Sequence, residues 1–464
     1  MQSLKAKHKQ ILTIATPVIV TSMVTQIQIL TDSIFVGHLD SSLFAAIGNV
    51  MFPLFLAMSF LWATPTGTTV LIAQKIGAKK PDEGAAVAES SFKFNTLIAL
   101  GLAVVWFFAC RPIFVLMGVT EPVLTQSVAY ARILSAFLLM LGIHSTIAAI
   151  FQGIGITVPV MVVGFFGSVM NIFLDWVMIF GKFGFPAMGL AGAAWATVIS
   201  SVLGFPIIFI WLLALKRKPF HMHAGRMLKR PLKDYLPVLK IGLPAGLEDV
   251  LWNGGNLVLV RFLNALAPLG PGIYAVGVYT LITRIASTPV LVYLGFSKAA
   301  QTLVGNRTGE KDSRGAIRDG LHCMIWTAAV TVVFVVIFTF WPGQTLGIFT
   351  KDTELIRISI PYLFLFTAAL IPQAFNITIG HSIRGFGDTR WMLLTQIGGT
   401  IFMIVGAWIF MFPLKFAFVG LFIIMIADEI IRAAINFFRY MKGPFWPANK
   451  EAHVPEPVTM EGAV

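Results

Sequence analysis

Twelve stretches of this chain are apolar over the length a helix needs to cross a bilayer, and that constrains the fold more than any other feature. A spanning helix takes about 20 residues at a rise of about 1.5 Å each. The stretches fall at 11–36, 44–73, 92–116, 127–151, 158–181, 188–214, 238–264, 273–303, 321–341, 355–381, 391–411 and 416–439. In hydrocarbon every backbone N–H and C=O must be bonded within its own segment, so such stretches form helices. Composition agrees, with 57% of residues hydrophobic and 12% charged, where a soluble globule carries about 25% charge. Soluble enzymes, disordered scaffolds and nucleic-acid-binding modules are excluded, and an all-α integral membrane protein remains.

The chain repeats itself. QKIGAKK at 74–80 parallels NRTGEKD at 306–312, with Gly77 over Gly309. FQGIGIT at 151–157 parallels IRGFGDT at 383–389, with Gly155 over Gly387, and Ala129-Tyr130 parallels Pro361-Tyr362. Each pair is offset by 232 residues, half of 464. Two six-helix lobes in the same orientation follow, a layout of transporters that rock around a central cavity. The expected divisions are an N-lobe at 1–214, a basic linker at 215–236, a C-lobe at 237–442 and a tail at 443–464.

The net charge of +13 comes from 34 Lys and Arg against 21 Asp and Glu. The bases cluster on alternate connections: Lys5, Lys7 and Lys9, then Lys75, Lys79 and Lys80, then Lys216 through Lys233, then Arg307 through Arg318, then Arg439 and Lys442. Bases mark cytosolic loops and face anionic lipid. Both termini are therefore expected in the cytosol of an inner-membrane protein, with membrane lipids as partners. Met1–Gln10 is short and basic, but the apolar stretch after it is too long for a cleavable signal. Cys110 and Cys323 lie in apolar runs and indicate neither a disulfide framework nor a metal site.

Acids inside spans need a reason, because a carboxylate at the bilayer centre costs roughly 2.5–3.5 kcal/mol on insertion scales. Asp32 lies late in the first span, Asn171 and Asp175 share one face of the fifth at i,i+4, and Thr197 lies in the sixth. Two carboxylates facing one wet cavity hold a proton between them, and the same oxygens with an amide and a hydroxyl suit Na+. Hydrogen bonding between helices is the alternative reading for all four. Pro17, about four turns before Asp32, removes a backbone bond and allows the first span to bend. Glu248 and Asp249 open the seventh span, Arg284 lies in the eighth, and Asp428, Glu429 and Arg432 share the twelfth. Glu248, Arg284, His144, Gln152 and Asn376 are candidates for a substrate cavity. The sequence leaves open whether Glu248, Asp428 and Glu429 take part in transport. Asp428 and Arg432, at i,i+4, are expected to neutralise one another. No nucleotide-binding, HExxH, paired CxxC or GxSxG motif appears, so no enzymatic chemistry is expected, and transport would run on an ion gradient.

These residues carry a recognisable pattern. TDSIFVGHL at 31–39, TTVLIAQKIGA at 68–78, NIFLDWVMIFGKFGFPAMGLAGAAWATVIS at 171–200, IGLPAGLED at 241–249, AAQTLVGNRTGEKDSRGA at 299–316 and IRGFGDTR at 383–390 resemble the multidrug and toxic compound extrusion (MATE) family along essentially the whole chain. The resemblance implies twelve transmembrane helices in two pseudo-symmetric lobes. It also implies an antiporter exporting amphipathic, often cationic compounds in exchange for H+ or Na+, with no other cofactor, working as a monomer. Asp32, Asn171, Asp175 and Thr197 match the family's N-lobe cation site, and Pro17 its bending proline. The chain departs from the family where Trp252 stands near a glutamate of another branch, Ser145 near an expected asparagine, and Gln152 where relatives carry arginine. A flippase for lipid-linked precursors, of related fold, is the alternative function.

Overall fold

The computed structural model of the chain describes residues 4–37, 41–215, 220–266 and 274–443. Twelve long helices account for most of them. They are α1 (Leu4–Gly37), α2 (Ser41–Gly77), α3 (Pro81–Leu116), α4 (Val123–Gly153), α5 (Val158–Phe180) and α6 (Gly189–Ala214), followed by α7 (Leu236–Leu266), α8 (Ala275–Gly309), α9 (Ser313–Phe340), α10 (Thr353–Gly385), α11 (Thr389–Met411) and α12 (Ala417–Met441). Every expected span has its helix. The expected tail beyond Gly443 and residues 216–219 of the expected linker lie outside the described residues.

Ten of the twelve are long and apolar enough to cross a membrane among the described residues. The other two, α7 and α12, carry Lys240, Glu248 and Asp249 or Asp428, Glu429, Arg432 and Arg439. Hydropathy reads the start of α3 and α9 too late. α3 begins at Pro81, aided by proline in its first turn, with Asp82 and Glu83 beside the positive end of the helix. α9 begins at Ser313, where Asp312 accepts from the Gly315 amide at 2.8 Å. Both helices begin on polar residues ahead of their apolar stretches.

The repeat is visible in the backbone. Lys79 and Lys311 both take a left-handed conformation, φ 59° and 60°, and so do Gly155 and Gly387, φ 76° and 89°. Each pair keeps the 232-residue offset. In the N-lobe α2 packs on α3 and α4, α4 on α6, and α5 on α1 and α6; α8, α9, α10, α11, α12 and α7 repeat that arrangement in the C-lobe. Large side chains such as Phe108, Ile210, Phe340 and Leu394 stay exposed on the outer faces, which is where a bilayer supplies their apolar surroundings.

The lobes meet where α1 crosses onto α8 and α2 lies along α7 and α8. Their closest approaches gather at the end that carries the basic connections. A Cβ on Gly77 would stand 1.9 Å from the Asn306 carbonyl oxygen, and one on Gly309 would stand 1.9 Å from that of Gln74. Only glycine lets two backbones come so near. Further from this end, Gly242 abuts Thr64, and the contact from Asn253 Nδ2 to Ser59 Oγ is a weak 3.5 Å.

Candidate functional site

α1 and α5 pack side by side, with α6 against α5, and this brings the four N-lobe residues together. Asn171 is 0% and Asp175 1% exposed, whereas Asp32 and Thr197 are half-buried. In one amide orientation Asn171 accepts from Gln28 Nε2 at 2.6 Å and donates to Thr197 Oγ1 at 3.5 Å. Turned over, it donates to Asp32 Oδ1 at 3.3 Å and accepts from the Thr197 amide at 3.2 Å. Thr197 Oγ1 donates to the Ala193 carbonyl at 3.0 Å.

Neither carboxylate oxygen of Asp175 has a hydrogen-bond donor among the described residues. The group within hydrogen-bond reach is the Asp32 carboxyl, which also lies within reach of Gln28. Two carboxyls placed so can share a proton or hold a small cation, and two bare carboxylates there would repel. Tyr130 on α4 is buried close enough to feel both acids. Beside it a cavity of about 340 Å³ opens between α4 and α6, lined by Gln126, Tyr130, Met188 and Leu190 among others. Gln28 and Tyr130 were not singled out by sequence reasoning. An i,i+4 spacing from Asp32 was the available signal for Gln28; a tyrosine in an apolar span offers none.

α1 runs unbroken through Pro17. Proline leaves the carbonyl four residues earlier, on Thr13, without its helical donor. Thr157, at the start of α5, donates its hydroxyl toward Thr13 O at 3.3 Å and Ile14 O at 3.0 Å. The vacancy is thus met by a neighbouring helix, as intramembrane proline requires.

The C-lobe gathers more charge and pairs its buried guanidinium groups with carboxylates. Arg384 on α10 donates to Glu248 on α7 at 2.5 Å and contacts His381 Nδ1 at 3.1 Å. Arg432 meets Asp428 at 2.6 Å, Glu429 at 3.4 Å and Gln396 Oε1 at 2.9 Å. Asn376 donates to Glu429 at 2.9 Å and accepts from Asn436, also at 2.9 Å. Asp249 and Lys298 lie near this network. The expected Asp428–Arg432 pair forms, with Glu429 added.

The five candidate cavity residues do not come together. Glu248 and Asn376 are buried and bound into the C-lobe network, and Glu248 meets Arg384 rather than water at a helix end. His144 is wedged beside Gly204 within the N-lobe. Gln152 accepts on its backbone from Thr302 of the other lobe at 3.0 Å, and Arg284 is exposed. The five are divided between the two lobes, with Glu248 engaged by ion pairing, Asn376 by hydrogen bonding and His144 by packing.

Twelve membrane-length helices in two equivalent lobes, meeting closely at one end and keeping acids inside, define a multi-pass membrane transporter. The MatE family model matches residues 17–177 and again residues 244–409, once in each lobe. The chain belongs to the MATE family, whose members are transporters and not enzymes. It is similar to YisQ, an uncharacterised transporter of Bacillus subtilis, at 28% identity over 422 residues, covering 88% of this chain and 89% of that protein. It is likewise 28% identical over 451 residues to a probable multidrug resistance protein NorM of Thermotoga maritima, covering 94% and 92%. The fold matches an outward-facing multidrug resistance MATE transporter of the MOP superfamily, with TM-score 0.85, 23% identity and coverage of 94% and 95%.

Proposed function

We propose that the protein exports amphipathic, often cationic organic compounds in exchange for one monovalent cation, H+ or Na+, taken up between Asp32 and Asp175. The observation that carries this reading is the Asp175 carboxylate, 1% exposed with no donor among the described residues, beside the Asp32 carboxyl. An acid so placed is stable only with a proton or a cation, because an isolated buried charge is strongly disfavoured. Asn171 and Thr197 add the neutral oxygens that a dehydrated Na+ takes as ligands. The names of the multidrug resistance relatives support the cargo class.

With the base-rich end in the cytosol, as the positive-inside rule has it, both termini are cytosolic and the protein sits in the inner membrane as a monomer among its lipids. The closed seam then faces the cytosol, and the looser contact between the lobes faces outward. Cation entry from outside neutralises the acid pair, weakens its hold on cationic cargo and lets α1 adjust about Pro17. Loss of the cation to the cytosol restores the charge and readies the site for cargo. A ligand moves such an equilibrium only through different affinity for its two states, and the acid pair supplies that difference.

A lipid-linked precursor would need a cleft rich in free bases. Arg384 and Arg432 are instead engaged by Glu248, Asp428 and Glu429, which favours the exporter reading. Dye efflux from proteoliposomes under separately imposed pH and Na+ gradients tests it. Efflux driven by one gradient names the ion, and no response to either overturns the proposal.

A further inference from the structure

At the base-rich end the lobes are joined on two sides, and the two joins differ in kind. On one side α3 of the N-lobe meets the chain that enters α7. Glu89, fully buried, takes Arg230 Nη2 at 2.7 Å, Arg230 Nε at 2.8 Å and the His223 amide at 2.9 Å. Lys93 Nζ donates to the Leu228 and Arg230 carbonyls at 2.9 and 2.8 Å, and the Tyr235 hydroxyl donates to Asn95 Oδ1. Parting here would strand a buried carboxylate, which costs about 3–5 kcal/mol where it has been measured.

On the other side the start of α1 meets the start of α9. Lys7 Nζ lies 2.5 Å from Asp319 Oδ1, both residues 7% exposed, while Arg307 Nε holds Asp319 Oδ2 at 2.9 Å. Next to it Trp326 Nε1 donates to His8 Nδ1 at 2.9 Å. Beneath, Ile11, Ile14 and Ala15 pack on Phe296, Ala299 and Leu303 of α8. The ion pair has no twin, because the residues offset by 232 from Lys7 and Asp319 are Leu239 and Val87.

We propose that Asp319 is a positioning residue of the transport cycle. Its pair with Lys7 is the latch that holds the base-rich face shut, and the face opens there by rotation about the α3–α7 join. The design suits release. When α1 withdraws, Asp319 keeps Arg307, and Lys7, near the beginning of α1, reaches water, so neither charge is left buried and unpaired. Because α1 also carries Pro17 and Asp32, occupancy of the acid pair reaches the latch along one helix. The inference rests on the rocking-lobe reading but on no coupling ion or cargo.

The test is a distance between lobes in the full-length protein. Spin labels go on Lys9→Cys and Arg314→Cys, exposed positions near the starts of α1 and α9, with the native Cys110 and Cys323 both buried. The parent protein should show mainly the short distance. Lys7→Glu sets like charges face to face, which costs several kcal/mol, so the long-to-short ratio should rise at least about tenfold. Asp319→Asn should raise it less, and Lys7→Arg should keep the parent distribution. Unchanged distances in both Lys7→Glu and Asp319→Asn overturn the latch, whether or not gradient-driven efflux survives. Failed efflux in the parent protein, with the distance shifted in the variants, counts against the exporter reading alone.

Discussion

The two lobes share a backbone plan and treat the charge at the middle of their spans differently. In the N-lobe Asp32, Asn171 and Asp175 lie at one level; the C-lobe residues at the 232 offset are Asn264, Met403 and Ala407. Met403 and Ala407 belong to an apolar core with Leu259, Leu263 and Phe422. In the other direction, Glu248, Arg384, Asp428 and Arg432 of the C-lobe correspond to Thr16, Gln152, Ala196 and Ser200. One lobe keeps a buried acid with no donor among the described residues, and the other matches each buried guanidinium with carboxylates. An unmatched buried charge changes state when a cation arrives, whereas a matched one braces the helices it joins.

Asp175→Asn should break this contrast most severely. It removes the unmatched charge, so gradient-driven efflux should fall to that of protein-free liposomes. The melting temperature should hold or rise, because a buried carboxylate without donors stabilises nothing. A large fall in melting temperature would mark Asp175 as a brace after all. Arg384→Ala is the converse test. It strands Glu248, and a melting or denaturant series should show a loss of about 3–5 kcal/mol. Neutralising both partners, Glu248→Gln with Arg384→Gln, should recover most of that loss. Thr197→Ala sharpens the comparison with the smallest effect. Removing one hydrogen-bonding oxygen from the acid pair's surroundings should weaken apparent cation affinity by about 0.5–1.5 kcal/mol, read from the gradient dependence of efflux.

Much of this was legible in the sequence, for physical reasons that also explain the rest. The spans were readable because uninterrupted apolar stretches of this length cross hydrocarbon only as helices. Helix ends at Pro81 and Ser313 were not, because those turns stand in polar surroundings where hydropathy carries no signal. The N-lobe acids stood out because a carboxylate among apolar residues has few purposes. Their surroundings did not: Gln28 and Tyr130 are residue types that spans accommodate without comment. Glu248 and Arg384 are 136 residues apart, and Lys7 and Asp319 are 312 apart. No local pattern pairs such residues until α7 meets α10 and α1 reaches α9. The repeat announced two alike lobes, and the side chains at matching positions show where they ceased to be alike.

The central claim is that cation coupling resides in the N-lobe acid pair and not in the C-lobe network. Gradient-driven dye efflux, compared between Asp32→Asn and the doubly neutralised Glu248→Gln/Arg384→Gln protein at equal incorporation, tests it most directly. The account predicts background efflux from the first and substantial, still gradient-dependent efflux from the second. Retained coupling in Asp32→Asn, with coupling lost in the C-lobe double variant, would contradict it.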